Sequence, residues 1–176
     1  TLLLLLGSLH RLGLVGVTED DVQAATEDTQ RQGFQLGEEA PTQGNPAKQL
    51  ALELKDRLIL IYGGGLFSGM ARRWKTQFNE NAKVWAFFET IPELLHNSVE
   101  AYAASADIAT RLMVLLLQPN TGADRVRDRY RVAAQLLQQT GVSYRVLETT
   151  ASQPLGQLLS MLLLGDYVSY YLALLN

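Results

Sequence analysis

The chain has 176 residues, enough for one domain with a full core. Hydrophobic residues make up 47% and charged ones 19%, which suits a soluble globular protein. A net charge of −3 gives no global field for nucleic acid or an anionic membrane, and the absence of cysteine excludes disulfides, zinc–thiolate sites and thiol nucleophiles.

Two histidines, His10 and His96, are too few and too far apart for a recognisable metal motif. Neither a nucleic-acid nor a membrane partner is expected, and a cysteine-free chain fits a reducing cytoplasm.

Residues 1–14, TLLLLLGSLHRLGL, lack a basic leader and a small-residue cleavage site. Their apolar run is shorter than the ~20 residues of a membrane span, so they predict a buried helix that something must cover. The chain is expected to begin mid-protein for that reason. Thr18 caps a second helix whose first turn is acidic, running to about Gln32. Residues 33–46 read as a loop. Asn45-Pro46 starts a third helix, ending near Lys55. These boundaries divide the chain into a helical segment and loop, 1–46, and an α/β domain, 47–176.

From Leu58 the rhythm changes. Leu58 to Tyr62, LILIY, reads as a strand buried on both faces. Gly63-Gly64-Gly65 turns into a helix from about Phe67 to Asn81. Val84 to Phe88, Leu112 to Leu117 and Tyr144 to Leu147 are further strands. Helices are expected from Pro92 to Ala104, Asp124 to Gln139 and Pro154 towards Leu175. Strands alternating with helices predict a three-layer αβα sandwich around a parallel sheet of about four to five strands.

Two side chains in Ala71 to Asn97, ARRWKTQFNENAKVWAFFETIPELLHN, can carry chemistry. Glu80 sits between Asn79 and Asn81; a carboxylate can move a proton between carbons. His96 follows Leu94-Leu95, and an imidazole exchanges a proton near neutral pH. By pattern alone, a lone glutamate near a helix end is usually a solvated surface group and a lone histidine usually structural. Gly63, Gly65 and Gly69, with Glu89 at the end of the next strand, resemble a dinucleotide fingerprint, but the third glycine comes one residue late. A tight strand-to-helix turn explains them more simply, with Ser68 as a helix cap. Arg125, Arg127, Arg129 and Arg131, with Asp124 and Asp128 mixed in, read as a solvated helix face. Arg72, Arg73 and Lys75 could meet an anion or merely solubilise their helix. The last helix is apolar nearly all round, so it belongs in a core or an interface, and Asp166 within it needs a hydrogen-bond partner.

Several segments together resemble the C-terminal part of the bifunctional phosphoglucose/phosphomannose isomerases, members of the sugar isomerase (SIS) superfamily. They are Asn45-Pro46-Ala47-Lys48, Tyr62 to Leu66 (YGGGL), Ala71 to Lys83 (ARRWKTQFNENAK), Pro92 to Asn97 (PELLHN) and Leu164 to Asn176 (LGDYVSYYLALLN). The resemblance implies an aldose–ketose isomerase of phosphorylated hexoses with no metal or organic cofactor. It places Glu80 on the family's base, which moves a proton between C1 and C2 through a cis-enediol, and His96 on the ring-opening histidine. Leu95 stands where the family has asparagine, and Tyr102 where tryptophan is common. The family's first SIS subdomain, with its Ser/Thr-rich phosphate loop, and its C-terminal tail find no match here. A fragment or a degenerate relative is therefore expected, as are sugar-phosphate binding or dimerisation without catalysis and, third, a nucleotide-binding domain.

The predicted elements also separate the two residues. Glu80 falls at the edge where strands begin and His96 at the opposite edge, roughly 15 Å or more away. A homodimer with a shared site would bring one copy's Glu80 to the other's His96.

Overall fold

The computed structural model of the chain describes residues 2–103 and 106–176, and their side chains except at positions 2, 3, 103 and 106. Its strands are β1 (Leu58–Gly64), β2 (Ala86–Ile91), β3 (Leu112–Leu117) and β4 (Ser143–Leu147). All pair in parallel in the order β2-β1-β3-β4, with Ile59 beside Ala86 and Met113. Helices α1 (Leu2–Arg11), α2 (Glu19–Leu36), α3 (Pro46–Leu54), α4 (Ser68–Gln77), α5 (Ala106–Ala109), α6 (Asp124–Thr140) and α7 (Pro154–Leu175) complete the chain.

Alternation along the strands builds the three layers. Ile59, Ile61, Met113 and Leu115 face a core shared with α3, α4 and α7. Leu60, Tyr62, Val114 and Leu116 face the second core, closed by Tyr130, Ala133 and Leu137 of α6. β3 is buried at every position, as expected of a central parallel strand.

α7 is long and apolar enough to cross a membrane by length and composition. Here it lies against α2, α3 and α4, with Met161, Val168 and Leu172 in the core. A Cβ at Gly165 would fall 2.3 Å from Trp74 Nε1, so glycine lets the two helices meet. Trp74 Nε1 donates to the Met161 carbonyl at 3.0 Å. Asp166 has its expected partners: Arg73 Nη2 at 3.0 Å and Gln77 Nε2 at 2.7 Å.

Three expectations need correction. α1 is not buried: Leu4 is 78% exposed and Leu5 56%, because the helix lies off the body. Its first expected residue, Thr1, lies outside the described residues. α2 runs to Leu36 rather than Gln32. Leu36 is fully buried, and its carbonyl accepts from Asn45 Nδ2 at 2.9 Å and from Tyr171 Oη. Tertiary anchoring there overrides the helix-breaking tendency of Gly33.

The helix expected over 92–104 is absent up to 103, and Ala104 lies outside the described residues. Instead, 3₁₀ turns at Glu93–Leu95 and Ser98–Ala103 flank His96 and Asn97. Asn97 Oδ1 accepts from the Ser98 amide at 2.6 Å and from Ser98 Oγ at 3.0 Å, a local bond that competes with helix continuation. Buried Leu94 and Tyr102 hold the two turns down.

Candidate active site

The segment around Glu80 begins as a regular helix. α4 buries Met70, Ala71 and Trp74, and Trp74 meets Phe78 edge to face at 5.7 Å. At Phe78 it widens into a π-helical turn, Phe78–Ala82, which Lys83 ends in the left-handed region at φ 58°. Such turns are rare and concentrate at functional sites, and a lysine with positive φ is uncommon.

The two asparagines have separate tasks. Asn79 Nδ2 donates to the Val84 carbonyl at 2.7 Å, tying the turn to the approach of β2. Asn81 Nδ2 donates to Ser169 Oγ at 3.0 Å, tying it to α7. Asn176 Nδ2 reaches the Ala82 carbonyl at 2.9 Å. Lys83 Nζ donates to the backbone carbonyl of Glu80 at 2.7 Å. Every neighbour is secured, and the Glu80 side chain is left exposed at the edge where the strands begin.

His96 is placed at the other edge. It follows the C-terminal end of β2, and its amide donates to the Glu93 carbonyl at 3.0 Å. Its side chain is exposed. The six residues of β2 between the two sites span about 17 Å at ~3.3 Å per residue. One chain therefore does not bring Glu80 and His96 together.

The Glu80 edge also gathers Arg57, Arg111 and Trp85, which the pattern reading did not single out, beside Lys75, which it did. A cavity of about 460 Å³ is lined by Arg57, Arg111, Lys83, Trp85 and Asn176 among others. A neighbouring one of about 400 Å³ is lined by Lys75, Asn79 and Trp85. Trp85 is 75% exposed. The signal was available: Arg57 and Arg111 directly precede two parallel strands, so they must share an edge. Arg57, Lys75, Lys83 and Arg111 outnumber the one carboxylate that lines these cavities, Asp56, and the net positive charge suits an anionic ligand.

The opposite edge is filled by the protein itself. A doubly wound sheet binds ligands where β1 and β3 diverge. Here Tyr130 Oη accepts from the Gly64 amide at 2.6 Å and donates to the Leu117 carbonyl, stapling the ends of β1 and β3. Burial pushes the Tyr130 phenol up. Fully buried Gln157 fills the next loop, accepting from the Asn120 amide at 3.1 Å and donating to Thr121 Oγ1 at 2.8 Å. A Cβ at Gly63 would fall 2.2 Å from the Phe67 carbonyl oxygen, and one at Gly64 would fall 2.9 Å from Ile91 Cβ. These glycines serve close strand-to-helix packing. Ser68 Oγ donates to the Gly65 carbonyl at 3.0 Å.

Remaining candidates resolve into structural roles. Arg127 pairs with Asp124 and Arg131 with Asp128 on the surface of α6. Arg73 is committed to Asp166. Tyr102 shares a hydrogen bond with Tyr62, and burial raises both phenols, with a further contribution from Glu89.

Comparisons with known proteins agree with this architecture. The family of bacterial phospho-glucose isomerase C-terminal SIS domains matches residues 43–176. A bifunctional phosphoglucose/phosphomannose isomerase of Caldicellulosiruptor bescii is 29% identical over 166 residues, 94% of this chain and 49% of the relative. One from Thermoplasma volcanium is 32% identical over 144 residues, 81% of this chain and 45% of the relative. A glucose-6-phosphate isomerase like protein from Thermus thermophilus superposes with a TM-score of 0.71 at 25% identity, covering 95% of this chain and 55% of that one. The chain thus spans about half the length of the curated relatives it matches.

Proposed function

The chain belongs to the family of bacterial phospho-glucose isomerase C-terminal SIS domains, and on that premise we propose that it is the Glu80-bearing half of an aldose–ketose isomerase for phosphorylated hexoses. The substrates are glucose 6-phosphate or mannose 6-phosphate and the product is fructose 6-phosphate. The observation that carries this reading is the Asn-Glu-Asn turn: three tethers immobilise its backbone while the carboxylate stays open to a ligand. Cations at the same edge favour a substrate carrying a phosphate.

The chemistry follows from the residue types. With the sugar open, the Glu80 carboxylate takes the proton from C2. The electron pair moves into a C1–C2 double bond, the C1 oxygen takes up a proton, and a cis-enediol forms. Return of the carbon-bound proton to C1, with loss of the C2 hydroxyl proton, gives the ketose. His96 opens the ring by moving a proton between the anomeric hydroxyl and the ring oxygen. No step needs a metal or organic cofactor. The separation of the two residues along β2 supports a homodimer in which His96 of one copy serves Glu80 of the other. Residues 1–46 then act as a helical lead into the SIS-like domain, 47–176, in a cysteine-free chain fitted to the cytoplasm.

The test is interconversion of fructose 6-phosphate with glucose and mannose 6-phosphates. It is run with this chain alone and with the chain carried in a protein holding both SIS subdomains. Turnover in the second, abolished by Glu80→Gln, is expected. Binding without turnover in both would favour a non-catalytic sugar-phosphate module, the reading prompted by the unmatched phosphate loop.

A further inference from the structure

Arg73, Gln77 and Asn81 stand at every fourth position along α4 and the turn that follows it, and each donates to α7. Arg73 Nη2 and Gln77 Nε2 give to Asp166 Oδ1 at 3.0 and 2.7 Å. Asn81 Nδ2 gives to Ser169 Oγ at 3.0 Å. Ser169 Oγ in turn donates to the Asp166 carbonyl at 2.9 Å, so the two α7 residues act as one block. The seam is locked beside it, where Trp74 seats over Gly165 and bonds the Met161 carbonyl.

The bonds around Glu80 are of two kinds. Asn79 to Val84 and Lys83 to the Glu80 carbonyl close within residues 79–84, so they fix the shape of the turn. Asn81 to Ser169 and Asn176 to the Ala82 carbonyl reach the body, so they fix where the turn stands. Asn176 follows the last turn of α7, where helices fray, whereas Ser169 is fully buried inside that helix. A hydroxyl has one proton, and that of Ser169 goes to Asp166, so towards Asn81 it only accepts. Donating on one side strengthens it as an acceptor on the other.

Building on the isomerase reading, we propose that Ser169 is a positioning residue for the proton transfer: through Asn81 it sets the place of the Glu80 carboxylate against the reacting carbon. A misplacement of about 1 Å costs about 10²-fold in rate. Asn81 is exposed, so water takes the place of a lost Ser169 hydroxyl at its amide. Removing that hydroxyl therefore acts on rate far more than on stability.

The test uses Ser169→Ala in a protein holding both SIS subdomains. We expect kcat to fall about 10–100-fold with KM within about twofold, and the thermal transition to stay in place. Added to Asn81→Ala, Ser169→Ala should slow turnover no further, because both cut the same link. A second readout needs no turnover. In this chain, ¹⁵N relaxation should give the Glu80 amide an order parameter of about 0.85, falling in Ser169→Ala. A Ser169→Ala kcat within about twofold of wild type, losses that add in full with Asn81→Ala, or an unchanged Glu80 order parameter overturns the proposal. If Glu80→Gln is inactive while Ser169→Ala runs at full speed, this proposal alone fails. A parent without turnover, or full turnover in Glu80→Gln, removes the isomerase reading and this proposal with it.

Discussion

The two edges of the sheet are built in opposite ways. Where β1 and β3 diverge, the ends of the strands are held by the protein itself: Tyr130 takes the Gly64 amide and the Leu117 carbonyl, and Gln157 fills the loop beyond. At the edge where strands begin, the backbone is irregular, with a π-helical turn and a left-handed Lys83, yet tethered through Asn79, Asn81 and Asn176. The first arrangement closes a crevice that related topologies leave open to ligands. The second spends its hydrogen bonds on holding a carboxylate out. The contrast teaches that topology alone does not locate a site; what matters is which polar groups are left uncommitted.

Substitutions can break this contrast. The largest effect is expected at Glu80. In a protein carrying both SIS subdomains, Glu80→Gln should lower kcat about 10³-fold or more with the fold retained, since an amide cannot accept the carbon-bound proton. Near-wild-type turnover would exclude Glu80 as the base. At the closed edge, the same kind of small change should act on stability instead. Gly63→Ala places a methyl against the Phe67 carbonyl and should destabilise the chain by about 3 kcal/mol. Denaturant unfolding measures it; a stability within about 0.5 kcal/mol of wild type would mean the turn relaxes easily.

Tyr130→Phe removes one hydroxyl and leaves the Gly64 amide buried without its partner. A loss of about 1–3 kcal/mol is expected, with little effect on any Glu80 chemistry. A drop in turnover with unchanged stability would reverse the assignment of roles to the two edges. The smallest effect is the pH dependence of the phenols. Tyr62, Tyr102 and Tyr130 are raised mainly by burial, so above the ordinary tyrosine value near 10 the folded state holds protons that the unfolded state releases. Stability should be level below that pH and fall as pH rises beyond it. A flat profile through pH 11 would show that the phenols reach water.

The alternation of LILIY with helical stretches made the sheet readable from the sequence, because a strand buried on both faces needs an unbroken apolar run. The same holds for the Asn45-Pro46 cap, where Asn45 Oδ1 accepts from the amides of Ala47 and Lys48 at 3.0 and 3.1 Å. Other features were set by distant contacts. Nothing local in Gly33-Phe34-Gln35-Leu36 announces that Asn45 and Tyr171 will hold Leu36 in place. The break after β2 depends on one asparagine side chain competing with the backbone. The exposure of α1 contradicts its composition, since apolar content shows that a helix favours cover without showing where cover lies. Of the proposed site, Glu80 and His96 stood out in the sequence as residue types. Arg57, Arg111 and Trp85 belong to no motif and could be grouped only by noting that each directly precedes a strand of one parallel sheet.

The central claim is that Glu80 and His96 act together only across two copies. Mixing two inactive variants, Glu80→Gln and His96→Ala, each in a protein with both SIS subdomains, tests it directly. Random reassortment gives one half mixed dimers, and each mixed dimer holds one intact site of two. Activity should therefore recover to about one quarter of wild type after mixing and exchange of subunits. A mixture that forms dimers freely and stays as inactive as its components would contradict the shared site.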